Sequence, residues 1–375
     1  MKGLAICNKG IEDVAAKEVE EITDEVAFVE DSAVVFDTNA EKLAKLTYLG
    51  KSIKRTMVLL GRAKINNKFD DVLPLIVQLV EELKTEEWLE KKSFKVVCER
   101  IGDHDFASQQ IAETVGELLF KKHKTKVVMN NPERIIYVFV NENSLYIGVD
   151  FAGMNLSKRE YKIFSIGSSL NGALGYALLR IAKVKKKDII LDPFCNSGII
   201  PIEAASYMKN MSPNFYRKDK LLFTRFLKID PKKFDDFKEV KGKIIAYDKL
   251  MNFMQATKKN AQIAGVNKNI IISKVDIEWL DTKLDQNQID KIVTRLPELS
   301  KTTNEGDIEK LYKEFFYQLD YILDEAGLMV AIMEKTDFLK TCFKRNEAMQ
   351  KFKIAEERDI MQGKKNMKVV IIKRA

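Results

Sequence analysis

The chain has 375 residues, 46% hydrophobic and 31% charged, with a formal net charge of +8. Two or three domains with real cores fit that length, and the basic excess favours a polyanionic partner. Two histidines and four scattered cysteines without Cys-x-x-Cys spacing argue against a His-based triad, a zinc site and a disulfide framework. No apolar run reaches membrane-spanning length and no signal peptide opens the chain, so a metal-free, cytoplasmic monomer is expected.

Residues 1–65 read β-α-β-β-α-β: strands at 2–7, 26–30, 33–37 and 55–62, helices at 11–21 and 40–49. That order predicts a ferredoxin-like domain. Apolar residues at helical spacing over 70–83 open a second unit, with Pro74 near the first turn, where proline is tolerated. A strand at 93–100 follows, then a helix starting at a Ser108 cap, then strands at 126–129, 135–140 and 144–150. Phe94 to Arg100, Phe106-x-Ser108, Asn131-Pro132-Glu133 and Leu156-x-Lys158-Arg159-x-Tyr161 occur in the order of a THUMP domain, and residues 66–152 resemble one. A linker over 153–168 carries Lys158, Arg159 and Lys162 around Tyr161. Basic side chains interleaved with an aromatic suit phosphate contact and base stacking, so these four are candidate RNA-binding residues. Ile166-Gly167 precedes a helix expected at 170–181.

The most informative stretch is Leu191-Asp192-Pro193-Phe194-Cys195-Asn196-Ser197-Gly198, where the apolar strand 189–191 turns into a helix near Gly198. Such a junction exposes backbone N–H groups to a ligand. The string resembles the Asp-Pro-Phe-Cys-Gly-Ser-Gly-Thr cofactor loop of THUMP-containing RNA methyltransferases that use S-adenosylmethionine. Asn196 replaces a glycine and Ile199 a threonine; Asn is the side chain that best tolerates a left-handed backbone. Asp248 ends the strand 243–247, where such folds grip ribose hydroxyls. A helix over 251–264 stops at Gly265, and the strand 270–275 ends in Asp276, where relatives contact the adenine amino group. The resemblance thus implies S-adenosylmethionine held by Asp192, Phe194, Cys195, Asn196, Ser197, Gly198, Asp248 and Asp276.

The strand 289–293 delivers the loop that, in enzymes methylating exocyclic amines, reads Asn/Asp-Pro/Leu-Pro-Tyr/Phe. An Asn or Asp oxygen and a neighbouring carbonyl accept the amine N–H groups, and the aromatic stacks on the flipped base. Here the candidate catalytic residues are Arg295, Leu296, Pro297 and Glu298. Arg295 has no acceptor atom and Glu298 cannot stack, so in an active amine methylase backbone carbonyls of the Thr294–Pro297 loop, assisted by Glu298, are expected to accept the N–H groups, with Arg295 facing a phosphate of the RNA. An insert over 209–240, basic and aromatic, resembles one that walls the cofactor site in the family, or else is a flap with its own small core. A helix at 307–323, a strand at 327–334 and a hairpin of 352–360 with 367–374 complete the chain.

The resemblance implies a Rossmann-like class I methyltransferase domain over 169–375, α/β with a mixed seven-stranded sheet, preceded by α+β ferredoxin-like and THUMP units. It resembles the archaeal tRNA guanine-N2 methyltransferases, so the expected activity is S-adenosylmethionine-dependent methylation of guanosine N2 in RNA, tRNA above all. The alternative is a degenerate relative that binds RNA without methyl transfer.

Overall fold

A computed structural model describes residues 1–165, 169–300 and 303–375; Ile166-Gly167 and the end of the expected linker lie outside the described residues. One unit comprises Met1–Cys7, Ala15–Leu156 and Asn214–Asp235; the other comprises Asn8–Val14, Ser157–Pro213 and Asp236–Ala375.

The first unit begins with β1 (Lys2–Cys7), α1 (Glu12–Thr23), β2 (Ala27–Glu30), β3 (Ala33–Asp37), α2 (Ala40–Leu49) and β4 (Ile53–Lys64). It continues with α3 (Phe69–Glu82), α4 (Glu86–Leu89), β5 (Phe94–Ile101), α5 (Ser108–His123), β6 (Arg134–Asn141) and β7 (Ser144–Asp150). The strand order β2-β3-β1-β4-β7-β6-β5 places the ferredoxin-like order inside one larger sheet, because β4 pairs antiparallel with β7. Leu4, Ile6, Met57, Tyr137 and Phe139 share a buried cluster across that junction.

Two local expectations are corrected here. Residues 126–129 do not form a strand: Val127 makes only an isolated bridge to Phe94. Val127 and Met129 are exposed, so no packing favours extending the ladder. Ser108 does not cap α5, because Ala107 occupies the cap position and Ser108 is already in the helix.

The insert is resolved as well. Its three 3-10 turns, Phe215–Lys220, Leu222–Arg225 and Pro231–Phe234, pack within the first unit. Leu222 and Phe223 N–H donate to Ala152 and Phe151 carbonyls at 3.2 and 3.0 Å. Asn214 Nδ2 donates to Thr47 and Tyr48 carbonyls at 3.1 and 2.9 Å, and Arg217 is buried on Asn214 and Leu156. The insert's core is therefore shared with the N-terminal elements rather than its own.

The second unit contains α6 (Gly172–Ile181), β8 (Ile189–Asp192), α7 (Ile199–Met208), β9 (Lys243–Asp248), α8 (Met251–Ile263), β10 (Ile271–Lys274) and β11 (Ile289–Arg295). It then adds α9 (Glu305–Ile322), β12 (Leu323–Met333), α10 (Asp337–Arg345), α11 (Glu347–Gln350), β13 (Phe352–Gln362) and β14 (Lys365–Arg374). The sheet order is β10-β9-β8-β11-β12-β14-β13; β10 to β12 run parallel and the terminal hairpin antiparallel. The parallel strands read as apolar runs because both faces are covered. Ile308, Tyr312, Phe315, Phe316, Leu319 and Ile322 form the buried stripe of α9 against β11 and β12 residues. Strand β12 starts earlier than the sequence suggests, since the β11–β12 register shifts between Ile289 and Lys291. Chain order reverses at β8, flanked by β9 and β11, so the crevice for a ligand opens at the carboxyl ends of these strands.

Candidate active site

Three strand tips converge at that crevice. Asp192, the last residue of β8, is buried; its Oδ1 accepts from Thr294 Oγ1 at 2.7 Å and from Phe194 N–H at 3.3 Å. Burial pushes the Asp192 carboxyl up to about 7, with nearby Asp248 adding to the rise and the two donors opposing it. Asp248, the last residue of β9, accepts from Asn196 N–H at 3.1 Å and Leu250 N–H at 3.1 Å. Burial raises its pKa too. Asp276 follows β10 and precedes the turn Ile277–Trp279.

The loop between β8 and α7 has the shape its sequence implies. Asn196 adopts φ 52° and Gly198 φ 82°, both left-handed. A Cβ at Gly198 would lie 2.7 Å from Thr257 Cγ2, so only glycine fits. Thr257 Oγ1 donates to Asn196 O at 2.9 Å, and Asn260 Nδ2 donates to Ser197 O at 2.9 Å. These two polar residues lie three apart on the buried face of α8 and pin the loop. Cys195 is buried beside Thr257 Oγ1 at 3.6 Å, and burial pushes its thiol well above the usual range, so it is a packing residue and not a nucleophile.

A cavity of about 800 Å³ runs from Phe194 and Asn196 past Asp248 and Asp276 to the loop Arg295–Ser300. At that end Leu296 is buried, and its N–H donates to Ile332 O at 3.2 Å. Pro297 O accepts from Tyr312 Oη at 2.6 Å. Glu298 Oε2 accepts from the Glu334 and Lys335 N–H groups at 2.7 and 3.1 Å. Arg295 Nη2 lies 3.2 Å from Glu334 Oε1 and 3.8 Å from Glu298 Oε1. The two departures from the family loop therefore sit together as an ion pair, and Arg295 is drawn to carboxylates of its own unit. Burial raises the Glu298 pKa, opposed by the two backbone donors and by Arg295.

The cavity fits S-adenosylmethionine. Asn196, which lines the cavity, has its Oδ1 buried with no hydrogen-bond partner among the described residues, as expected of an atom awaiting a polar ligand; Ser197 Oγ is likewise unpartnered but is not part of this cavity's lining. Asp248 and Asp276 line the same cavity, and each carboxylate oxygen of Asp248 keeps a lone pair beyond its backbone donor.

The linker residues need correction. Arg159 is buried and forks onto Glu203, Nε to Oε1 at 2.8 Å and Nη2 to Oε2 at 3.1 Å. Tyr161 Oη donates to the same Oε1 at 2.7 Å. Lys162 Nζ donates to Ser169 and Leu170 carbonyls at 3.2 and 2.8 Å, and burial lowers its pKa. Glu203 on α7 needed buried donors, and these three side chains are consumed inside the unit. Only Lys158 of the four is exposed. Sequence reasoning missed Thr257, Asn260, Tyr312 and Glu203, and it placed Thr294 in the catalytic loop without its bond to Asp192; the detectable mark of the first four was polar residues on the buried faces of α7, α8 and α9.

Residues 159–362 match the family described as RMKL-like, methyltransferase domain, and residues 72–150 match the THUMP domain. The chain belongs to the RMKL-like methyltransferase family. Relatives include a tRNA (guanine(6)-N2)-methyltransferase of Archaeoglobus fulgidus, 30% identical over 88% of this chain and 82% of that protein. The enzyme of the same name from Methanocaldococcus jannaschii is 28% identical over 94% of this chain and 95% of its own. The crystal structure of SMU.472 complexed with SAH superposes with a TM-score of 0.80 at 19% identity, covering 100% of this chain and 98% of that one. That likeness places this RMKL-like methyltransferase and SMU.472 in one fold. Among the described residues no helix is long and apolar enough to cross a membrane, and no cluster of three or more His, Cys, Asp or Glu side chains could hold a metal.

Proposed function

We propose that this RMKL-like methyltransferase is an S-adenosylmethionine-dependent tRNA methyltransferase acting on guanosine N2, at position 6 as in the names of its archaeal relatives. The observation that carries it is the single cavity joining Asp248 and Asp276 to the Arg295–Glu298 loop, on a chain 30% identical to such an enzyme over most of its length. Asp248 would hold the ribose hydroxyls and Asp276 the adenine amino group, with Asp192, Phe194 and Cys195–Gly198 shaping the rest of the cofactor site. Bound there, the cofactor supplies an electrophilic methyl group. The chain's part is to fix the geometry. Carbonyls of the Thr294–Pro297 loop accept the amine N–H groups and aim the nitrogen lone pair, and the Tyr312 bond to Pro297 O holds that loop still. The ferredoxin-like domain (1–65) and THUMP domain (66–152) would dock tRNA by shape and phosphate contact, with the linker to residue 168 and the exposed Lys158 contributing charge.

The test is incubation with labelled S-adenosylmethionine and unmodified tRNA, followed by nucleoside analysis. N2-methylguanosine at position 6 is expected. Cofactor binding without label in any tRNA would reject the enzymatic reading in favour of an RNA-binding relative.

A further inference from the structure

The family loop ends in an aromatic that stacks on the base; here that position holds Glu298, and the structure shows how the carboxylate is mounted. Its Oε2 is anchored by two backbone N–H groups, of Glu334 and Lys335, at the end of β12. Its Oε1 accepts no hydrogen bond among the described residues and has Arg295 Nη2 at 3.8 Å. The residue lines the cavity, and its side chain is only 19% exposed. Two fixed donors on one oxygen and a guanidinium nearby orient the group and oppose the rise in pKa that burial causes, while leaving acceptor capacity on the other oxygen. Arg295 is held in turn by Glu334, which Lys365 Nζ also contacts at 3.1 Å.

With Oε2 taken by the two backbone donors, Oε1 is the oxygen left to accept, and its two lone pairs can take two adjacent donors. Guanine presents N1–H beside the N2 amine, two adjacent donors on the edge that is methylated. A purine with the same amine but no N1–H presents a lone pair at N1, which a carboxylate repels. A stacking aromatic makes no such distinction, because every base has a face. We propose that Glu298 is a specificity-determining residue that reads the N1–H/N2–H edge of guanine, with Arg295 as its positioning counterion. The departure of both residues from the family loop is then a single exchange, from recognition by stacking to recognition by edge. This rests on the guanosine-N2 reading above.

The experiment uses the full-length protein, labelled S-adenosylmethionine, and two tRNAs that differ only in carrying guanosine or 2-aminopurine at the methylated position. Both bases have the 2-amine; only guanosine has N1–H. The wild type should prefer guanosine in kcat/KM by about ten- to hundredfold, the worth of a good paired contact. In Glu298→Gln, whose amide NH2 can donate to N1 of 2-aminopurine, the preference should shrink to about threefold or less, mainly by loss on guanosine. Equal wild-type rates on the two tRNAs overturn the inference without any variant and leave the guanosine-N2 reading intact. A Glu298→Gln protein with the full wild-type preference overturns it too. No transfer to guanosine by the wild type rejects the guanosine-N2 reading itself, and the inference with it.

Discussion

Replacing Asp192 by Asn keeps the shape of the side chain at the tip of β8 and removes its titration. The carboxyl is buried, and its pKa is pushed up to about 7 from an ordinary 3.8, chiefly by burial. The native state therefore holds this proton more tightly than the unfolded chain does. From about pH 4 to about pH 7 the native state binds the extra proton, so stability contributed here falls as pH rises, and the loss is complete above about pH 7. At 1.36 kcal/mol per unit, the rise is worth about 4 kcal/mol, an upper figure because local relaxation and water entry soften it. Asn reproduces the protonated carboxyl, and its Oδ1 can still accept from Thr294 Oγ1. The two proteins should converge towards about pH 4, and by about pH 8 the variant should be the more stable by about 2–4 kcal/mol. Urea unfolding across that range, followed by circular dichroism, measures the difference. Parallel stability curves over the whole range would refute both the burial cost and its sign.

Three further outcomes are expected. Gly198→Ala, which forces a side chain into a left-handed position 2.7 Å from Thr257 Cγ2, should lower stability by about 1–3 kcal/mol; an unchanged Tm would contradict the clash. Arg159→Ala strands buried Glu203 and should cost about 3–5 kcal/mol of stability while leaving the salt dependence of tRNA binding unchanged. A stable variant with a shallower salt slope would return Arg159 to the RNA contacts. Asp248→Ala should weaken S-adenosylmethionine binding by about 1.5–3 kcal/mol in calorimetry, and equal affinities would remove it from the site.

Much of the fold is legible in the sequence because local chemistry and tertiary demand agree there. The apolar runs of β8, β9 and β11 are strands in any buried parallel sheet, and Gly198 marks a backbone position no other residue fills. The helix α11, four residues with Met349 alone buried, is too short to set a period, whereas Phe338, Leu339, Cys342 and Phe343 mark one face of α10 that the sequence reading passed over.

The sequence by itself determined the strand–loop–helix cradle, the acidic strand tips Asp192, Asp248 and Asp276, and the absence of an acceptor at Arg295. These depend on residue identity and on spacing along the chain. Only the tertiary structure decided where charged side chains spend their charge. Arg159 and Tyr161 look like RNA contacts until Glu203, more than forty residues away in sequence, is found to need them. Arg295 and Glu298 look like two separate defects until folding brings the Glu334 and Lys335 backbone to the same carboxylate. A buried charge must be paired, and the partner is chosen by three-dimensional proximity, which spacing along the chain does not encode.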